Sequence, residues 1–152
     1  MNRYAAGALG GLVAGVVTTA VMAAGRKSGV TGKTLDRDAV DWIDRATGSR
    51  EAIGEAGTSA VEFANHLGAS AAFGAGYAEL RRLFPDVPPL LLAALYGTGL
   101  YAVNIAGIAP LLGITEGEVE AGPRKAGERW AVHLLQTVAT ALVAERLAPD
   151  PA

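Results

Sequence analysis

The stretch from Pro88 to Gly113, PPLLLAALYGTGLYAVNIAGIAPLLG, decides how the rest of the chain is read. It contains no Asp, Glu, Lys or Arg. A helix rises ~1.5 Å per residue, so about 20 residues cross a ~30 Å hydrocarbon core. A helix of this length in water would carry a polar face at helical period, and none is present. Residues 4–25 have the same character, from Tyr4 to Gly25 without a charge. Two more charge-free runs, Phe63 to Ala78 and Trp130 to Ala144, fall short by a turn or so. They reach across when Glu62, Glu79, Arg129, Glu145 and Arg146 sit at the interface or snorkel. The expectation is an all-α fold of four transmembrane helices, at about 4–25, 59–80, 88–113 and 127–147. A polar loop, 26–58, follows the first span, and residues 1–152 form a single integral membrane domain. The rivals are a water-soluble four-helix bundle and, for the first run alone, a signal peptide cleaved near Val21-Met22-Ala23. The length and Gly content of that run favour a retained span.

Composition agrees and removes several chemistries. Of 152 residues, 51% are apolar and only 18% charged, which argues against disorder. The absence of Cys excludes a disulfide scaffold, Cys-ligated zinc or iron–sulfur sites, and thiol catalysis. A net charge of -2 leaves no nucleic-acid footprint. No Gly-x-Ser-x-Gly, phosphate loop or dinucleotide fingerprint occurs. Gly7, Gly11 and Gly15 recur every fourth residue, the spacing that lets membrane helices approach closely. Gly76 in the second span is assigned the same packing role.

The connections have their own signals. Asp36 to Ala46 (DRDAVDWIDRA) places Val40 and Ile43 on one helical face, with Trp42 suited to headgroup level. It reads as an amphipathic helix on the membrane surface or capping the bundle. Gly48 and Gly54 end helical segments on either side of Ser49-Arg50-Glu51. Pro85, Pro88 and Pro89 break the chain before the third span, and Pro88-Pro89 suit its start. Glu116 to Glu128 reads as a solvated loop, acidic first and basic later. Counting Lys and Arg places nine on the side of the long first loop and four on the other. That count puts the long loop in the cytoplasm.

Spans two and four resemble each other, FANHL at 63–67 beside WAVHL at 130–134. This suggests a 2+2 parallel repeat with His66 and His133 at similar depth. Glu62, Asn65, His66, Asn104, His133 and Gln136, with Thr18 and Thr19, fall in one half of the bilayer by direction of travel. Polar and ionisable groups at such depth face the bundle interior. They serve either as interhelical hydrogen bonds or as a proton-sensitive cluster with Glu62 partnering His66, since histidine titrates near pH ~6.5 unless perturbed. A metal site of Glu62, His66 and His133 is disfavoured. The di-iron helix pair needs Glu-x-x-His twice, whereas Glu62 and Glu128 stand four and five residues before their histidines. No metal, cofactor or catalytic residue is expected.

Three segments carry a family likeness: Gly11-Leu12-Val13-Ala14-Gly15-Val16-Val17; His66 with Ser70, Phe73, Gly76, Tyr77, Phe84 and Pro85; and Pro110-Leu111-Leu112-Gly113-Ile114-Thr115 with His133-Leu134 downstream. On these the chain resembles the YagU-like family of small bacterial inner-membrane proteins. The first loop departs in composition, and the Glu before His133 is displaced. The resemblance implies a multi-pass protein of the bacterial inner membrane with no assigned catalysis and a loose association with survival in acid. The expected function is therefore non-enzymatic, linked to stress or acid tolerance through structural or interaction effects. The alternative is a small oligomeric proton or solute transporter or channel using the His/Glu cluster. The expected partners are the lipid bilayer and further copies of the chain, with no nucleic acid.

Overall fold

A computed structural model describes residues 1–29 and 32–148; positions 30 and 31 of the long first loop lie outside the described residues. The described chain is all-helical. Helix α1 spans Arg3–Lys27, opened by the Asn2 side chain accepting from the Ala5 amide at 2.8 Å. Helix α2, Leu35–Thr47, is opened by the Thr34 hydroxyl accepting from the Arg37 amide at 3.2 Å and ends at Gly48. Helix α3 covers Ser49–Leu83, α4 Pro89–Leu111 and α5 Glu118–Leu147.

Two helices bend where backbone chemistry requires it. At Gly54 and Gly122 φ is +68° and +81°, a region that side chains resist, so each glycine breaks its helix and lets the next segment start afresh. Pro123 follows directly, in the first-turn position where its missing N–H costs nothing. This corrects the expected loop over Glu116 to Glu128. Most of it is helical, because Glu116 and Glu118 fold back onto Lys125 and Arg129 (Glu118 to Arg129, 2.8 Å) rather than standing in water.

Helix α4 differs from a plain span. Tyr101–Ile108 is π-helical, with the Ala109 amide donating to Asn104 O, five residues back. Pro110 supplies the reason. It has no N–H, and its ring would clash with the carbonyl four residues earlier in a regular α-helix, so the preceding turns widen.

The bundle is packed with small residues. Among the described residues, seven of the ten buried apolar ones are alanines: Ala6, Ala14, Ala78, Ala93, Ala109, Ala141 and Ala144. A Cβ on Gly10 would lie 2.7 Å from Thr140 O of α5, and one on Gly11 would strike the Ser70 carbonyl of α3. So α1 lies in backbone contact with both α3 and α5. Helix α4 packs on α5, whereas α3 and α4 meet only sparsely. Packing is thus dense within the pairs α1–α3 and α4–α5, and α1 also lies along α5. Helix α2 folds back onto α3 with Val40 buried and Ile43 outward.

The outer surface is apolar. Leu9, Val13 and Val16 on α1, Phe63 on α3, Leu91, Leu95 and Val103 on α4, and Trp130 and Leu142 on α5 are all exposed. Arg3–Lys27 and Pro89–Leu111 are each long and apolar enough to cross a membrane, a weak hint of membrane association.

Candidate functional site

The site lies at the end of the bundle where α1 finishes and α5 begins. Three helices meet there through hydrogen bonds. Thr18 of α1, fully buried, donates to Gln136 Oε1 of α5 at 3.0 Å, and Gln136 Nε2 donates to Gly11 O at 3.1 Å. His66 of α3 places Nε2 3.1 Å from Gly15 O and 3.3 Å from the Thr18 hydroxyl. Glycines at 11 and 15 allow these side chains to reach the α1 backbone, and Ser70 closes against Gly15.

The other ring nitrogen of His66, Nδ1, stands 3.0 Å from Asp36 Oδ2 at the start of α2. Both nitrogens thus face oxygen acceptors. In the neutral ring with its proton on Nδ1, Nδ1–H donates to Asp36 and Nε2 can accept from the Thr18 hydroxyl. A ring protonated on both nitrogens donates to Asp36 and to Gly15 O together. His66 and Asp36 therefore form a hydrogen-bonded pair that ties α2 to the bundle.

Beside this pair lies a cavity of about 690 Å³, bounded by all five helices and the loop before α2. Such a volume is in the ~300–1,000 Å³ range of small-molecule pockets. His66, Gln136, Asn104 and His133 all line it. His133 Nδ1 donates to Arg129 O at 2.8 Å, and its ring meets Tyr101 edge-on, centroids 6.2 Å apart. With Nδ1 committed, Nε2 is the acceptor of the neutral ring, and no group among the described residues hydrogen-bonds to it. The Asn104 side chain, on the π-helical turn, likewise has no hydrogen-bond partner among the described residues.

Two of the expected cluster members stand elsewhere. Asn65 is exposed on the outer face of α3. Glu62 is not the partner of His66. It accepts from the Thr34 hydroxyl at 3.1 Å and lies 3.5 Å from Arg37, holding the entry to α2. Asp36 takes the partner's place, because α2 folds back along α3 and brings its first turn over His66. Gly7 packs against Gly74 of α3, and Gly76 is closed by Tyr96, a Cβ there lying 2.5 Å from the hydroxyl. Asp36, Tyr101 and Arg129 were missed as site residues. The acidic first turn of an amphipathic helix signals Asp36, but only to a reader who already knows where the helix docks.

At the rim, charges are paired. Lys33 sits 2.7 Å from Asp38 and 2.6 Å from Asp41, and Arg50 also binds Asp41. Hydrogen bonds from Lys33 and then Arg50 hold the Asp41 carboxyl down at about 2, and Asp38 and Asp41 together raise Lys33. Lys125 similarly lowers Glu116. Among the described residues, no three His, Asp or Glu side chains form a group able to hold a metal ion.

At the far end, Arg81, 4% exposed, donates to Glu145 Oε1 at 3.0 Å and to the carbonyls of Phe84, Pro85 and Val87. Tyr77 donates to the same carboxylate at 3.1 Å. This cluster closes the α3–α4 turn and is spent on structure.

No family model, curated protein or solved structure matches the chain.

Proposed function

We propose that the chain is a non-enzymatic, multi-pass membrane protein that takes a small solute into its bundle cavity and couples that cavity to protonation. The observation that carries the reading is the His66–Asp36 pair, 3.0 Å apart, on the wall of a cavity of about 690 Å³. A proton gained or lost there changes both the charge of the wall and the tie that holds α2 beside it.

The membrane part rests on distribution. Large apolar side chains face outward on α1, α3, α4 and α5, while Thr18, Ser70, Gln136, Thr137 and Thr140 are buried. That is the reverse of a water-soluble bundle, and four spans with a surface helix accommodate it. The bacterial inner membrane, the YagU-like family and acid tolerance follow from the sequence resemblance and belong to this proposal on that ground.

The test is proton flux in liposomes carrying purified protein, wild type beside His66→Ala. Flux that rises as pH falls toward about 6, the range where histidine charges, and that disappears in the variant, is the expected result. Equal background leakage in both removes the transport reading. A second reading then stands, favoured by the Thr18–Gln136–Gly11 chain of bonds: the polar residues hold the helices together, and the protein acts through a partner or through structure.

A further inference from the structure

The cavity wall carries two polar groups that the fold leaves unused. His133 Nε2 accepts nothing, because Nδ1–H is taken by Arg129 O. The Asn104 amide has no partner among the described residues. Both residues are half-buried and line one cavity, so these are the wall groups open to a ligand's polar group. An acceptor nitrogen and an amide that both donates and accepts, lining one cavity, match a carboxylic acid. Its O–H donates to His133 Nε2 and its carbonyl accepts from the Asn104 amide.

The rest of the wall fits the remainder of such a molecule. Phe73 of α3 and Leu100 and Ile105 of α4 are apolar and line the same cavity. The lining carries four basic side chains, Lys33, Arg124, Lys125 and Arg129, against Asp36 and Glu128. Each of the four is paired with a carboxylate, Lys33 with Asp38 and Asp41, Lys125 with Glu116, Arg129 with Glu118 and Arg124 with Glu128. The cavity is walled by both α3 and α4, and those two helices touch only sparsely.

We infer that the cavity binds a weak carboxylic acid with a hydrocarbon tail, its carboxyl on His133 Nε2 and Asn104 and its tail along Phe73, Leu100 and Ile105. The inference rests on reading the cavity as a solute pocket and names the solute's class.

The experiment is equilibrium binding of carboxyl-labelled octanoic acid to the full chain in nanodiscs, with protein-free nanodiscs as the blank and 1-octanol as the neutral probe. The expected result is one saturable octanoic acid site. His133→Phe and Asn104→Leu should each weaken it about tenfold, in keeping with the loss of one or two hydrogen bonds to a polar head. Octanol binding should change less than twofold in both variants. Ala69→Trp, which fills the cavity from α3, should abolish both ligands. Thermal unfolding checks that the variants are folded, and Asn104→Leu carries the test alone if His133→Phe is not. Undiminished octanoic acid binding in the folded variants overturns the carboxyl subsite. Saturable octanol binding, lost in Ala69→Trp, without octanoic acid binding overturns the acid and leaves the pocket. Binding of neither overturns the pocket along with it.

Discussion

Asp36 and His66, thirty residues apart, are joined at 3.0 Å, and that one contact fastens the surface helix α2 over the cavity. The same ring reaches Gly15 O with its other nitrogen, so α1, α2 and α3 meet on a single imidazole. Asp36→Asn leaves the shape but removes the charge. The α2 amides should lose hydrogen-exchange protection, with α1 unchanged. Unaltered exchange in α2 would mean that the Asp36–His66 contact adds nothing to its docking.

The α1–α3 crossing depends on two bare backbones. Gly11→Ala puts a Cβ against the Ser70 carbonyl, and neither helix can yield locally because both are backbone at the contact. A loss of about 1–3 kcal/mol is expected, seen as a lower midpoint for thermal unfolding in detergent. Gly68→Ala is the control. Nothing lies within 4 Å of its added Cβ, so helix propensity alone should stabilise it by about 0.5–1 kcal/mol.

Acid should loosen α2 before the bundle. Asp41 ordinarily titrates at 3.8 but is held at about 2 by Lys33 and Arg50. A depressed carboxylate contributes stability that is complete above its ordinary value and is lost as pH falls through the lowered one. The window is therefore about pH 4 down to 2. Trp42 fluorescence, in a Trp130→Phe background, should shift there. Asp41→Asn should abolish that shift while lowering stability at neutral pH.

Glu145 accepts from both Arg81 and Tyr77. Glu145→Gln leaves a guanidinium, 4% exposed, without its countercharge. Removing one partner of such a pair costs about 3–5 kcal/mol in fully buried cases. Glu145 is 27% exposed, so a loss nearer 2 kcal/mol is expected in thermal or denaturant unfolding. A change below a few tenths would show that the three carbonyls bound by Arg81 suffice.

Pro110 holds the π-helical turns open. With Pro110→Ala the N–H returns and the ring clash disappears. The segment 101–108 should relax toward α-helical hydrogen bonding, rotating Asn104 relative to Tyr101. Carbon and amide chemical shifts across 101–109 would report the change, and octanoic acid binding should weaken with it. Retained π-type shifts would place the cause in packing against α5.

The sequence by itself determined the helices and their surfaces. Charge-free runs, Gly48 and Gly54 as breaks, and Pro88-Pro89 as a start are local signals, read within a turn or two of where they act. The same signals implied apolar outward faces and small-residue contacts at Gly7, Gly11 and Gly15. Local signals also misled. The charges of 116–128 read as a solvated loop because their pairing across the Gly122 bend, Glu116 with Lys125 and Glu118 with Arg129, is invisible until the chain turns back. Helical periodicity grouped Asn65 with His66, although its own side of α3 faces outward. Only the tertiary structure decided that Asp36 rather than Glu62 partners His66, that α1 lies against α5 while α3 and α4 meet sparsely, and that a cavity remains among the helices. The physical reason is range. Caps and periods are settled by neighbours along the chain, whereas a pair thirty residues apart and a space between helices exist only once the helices have chosen their faces and crossed.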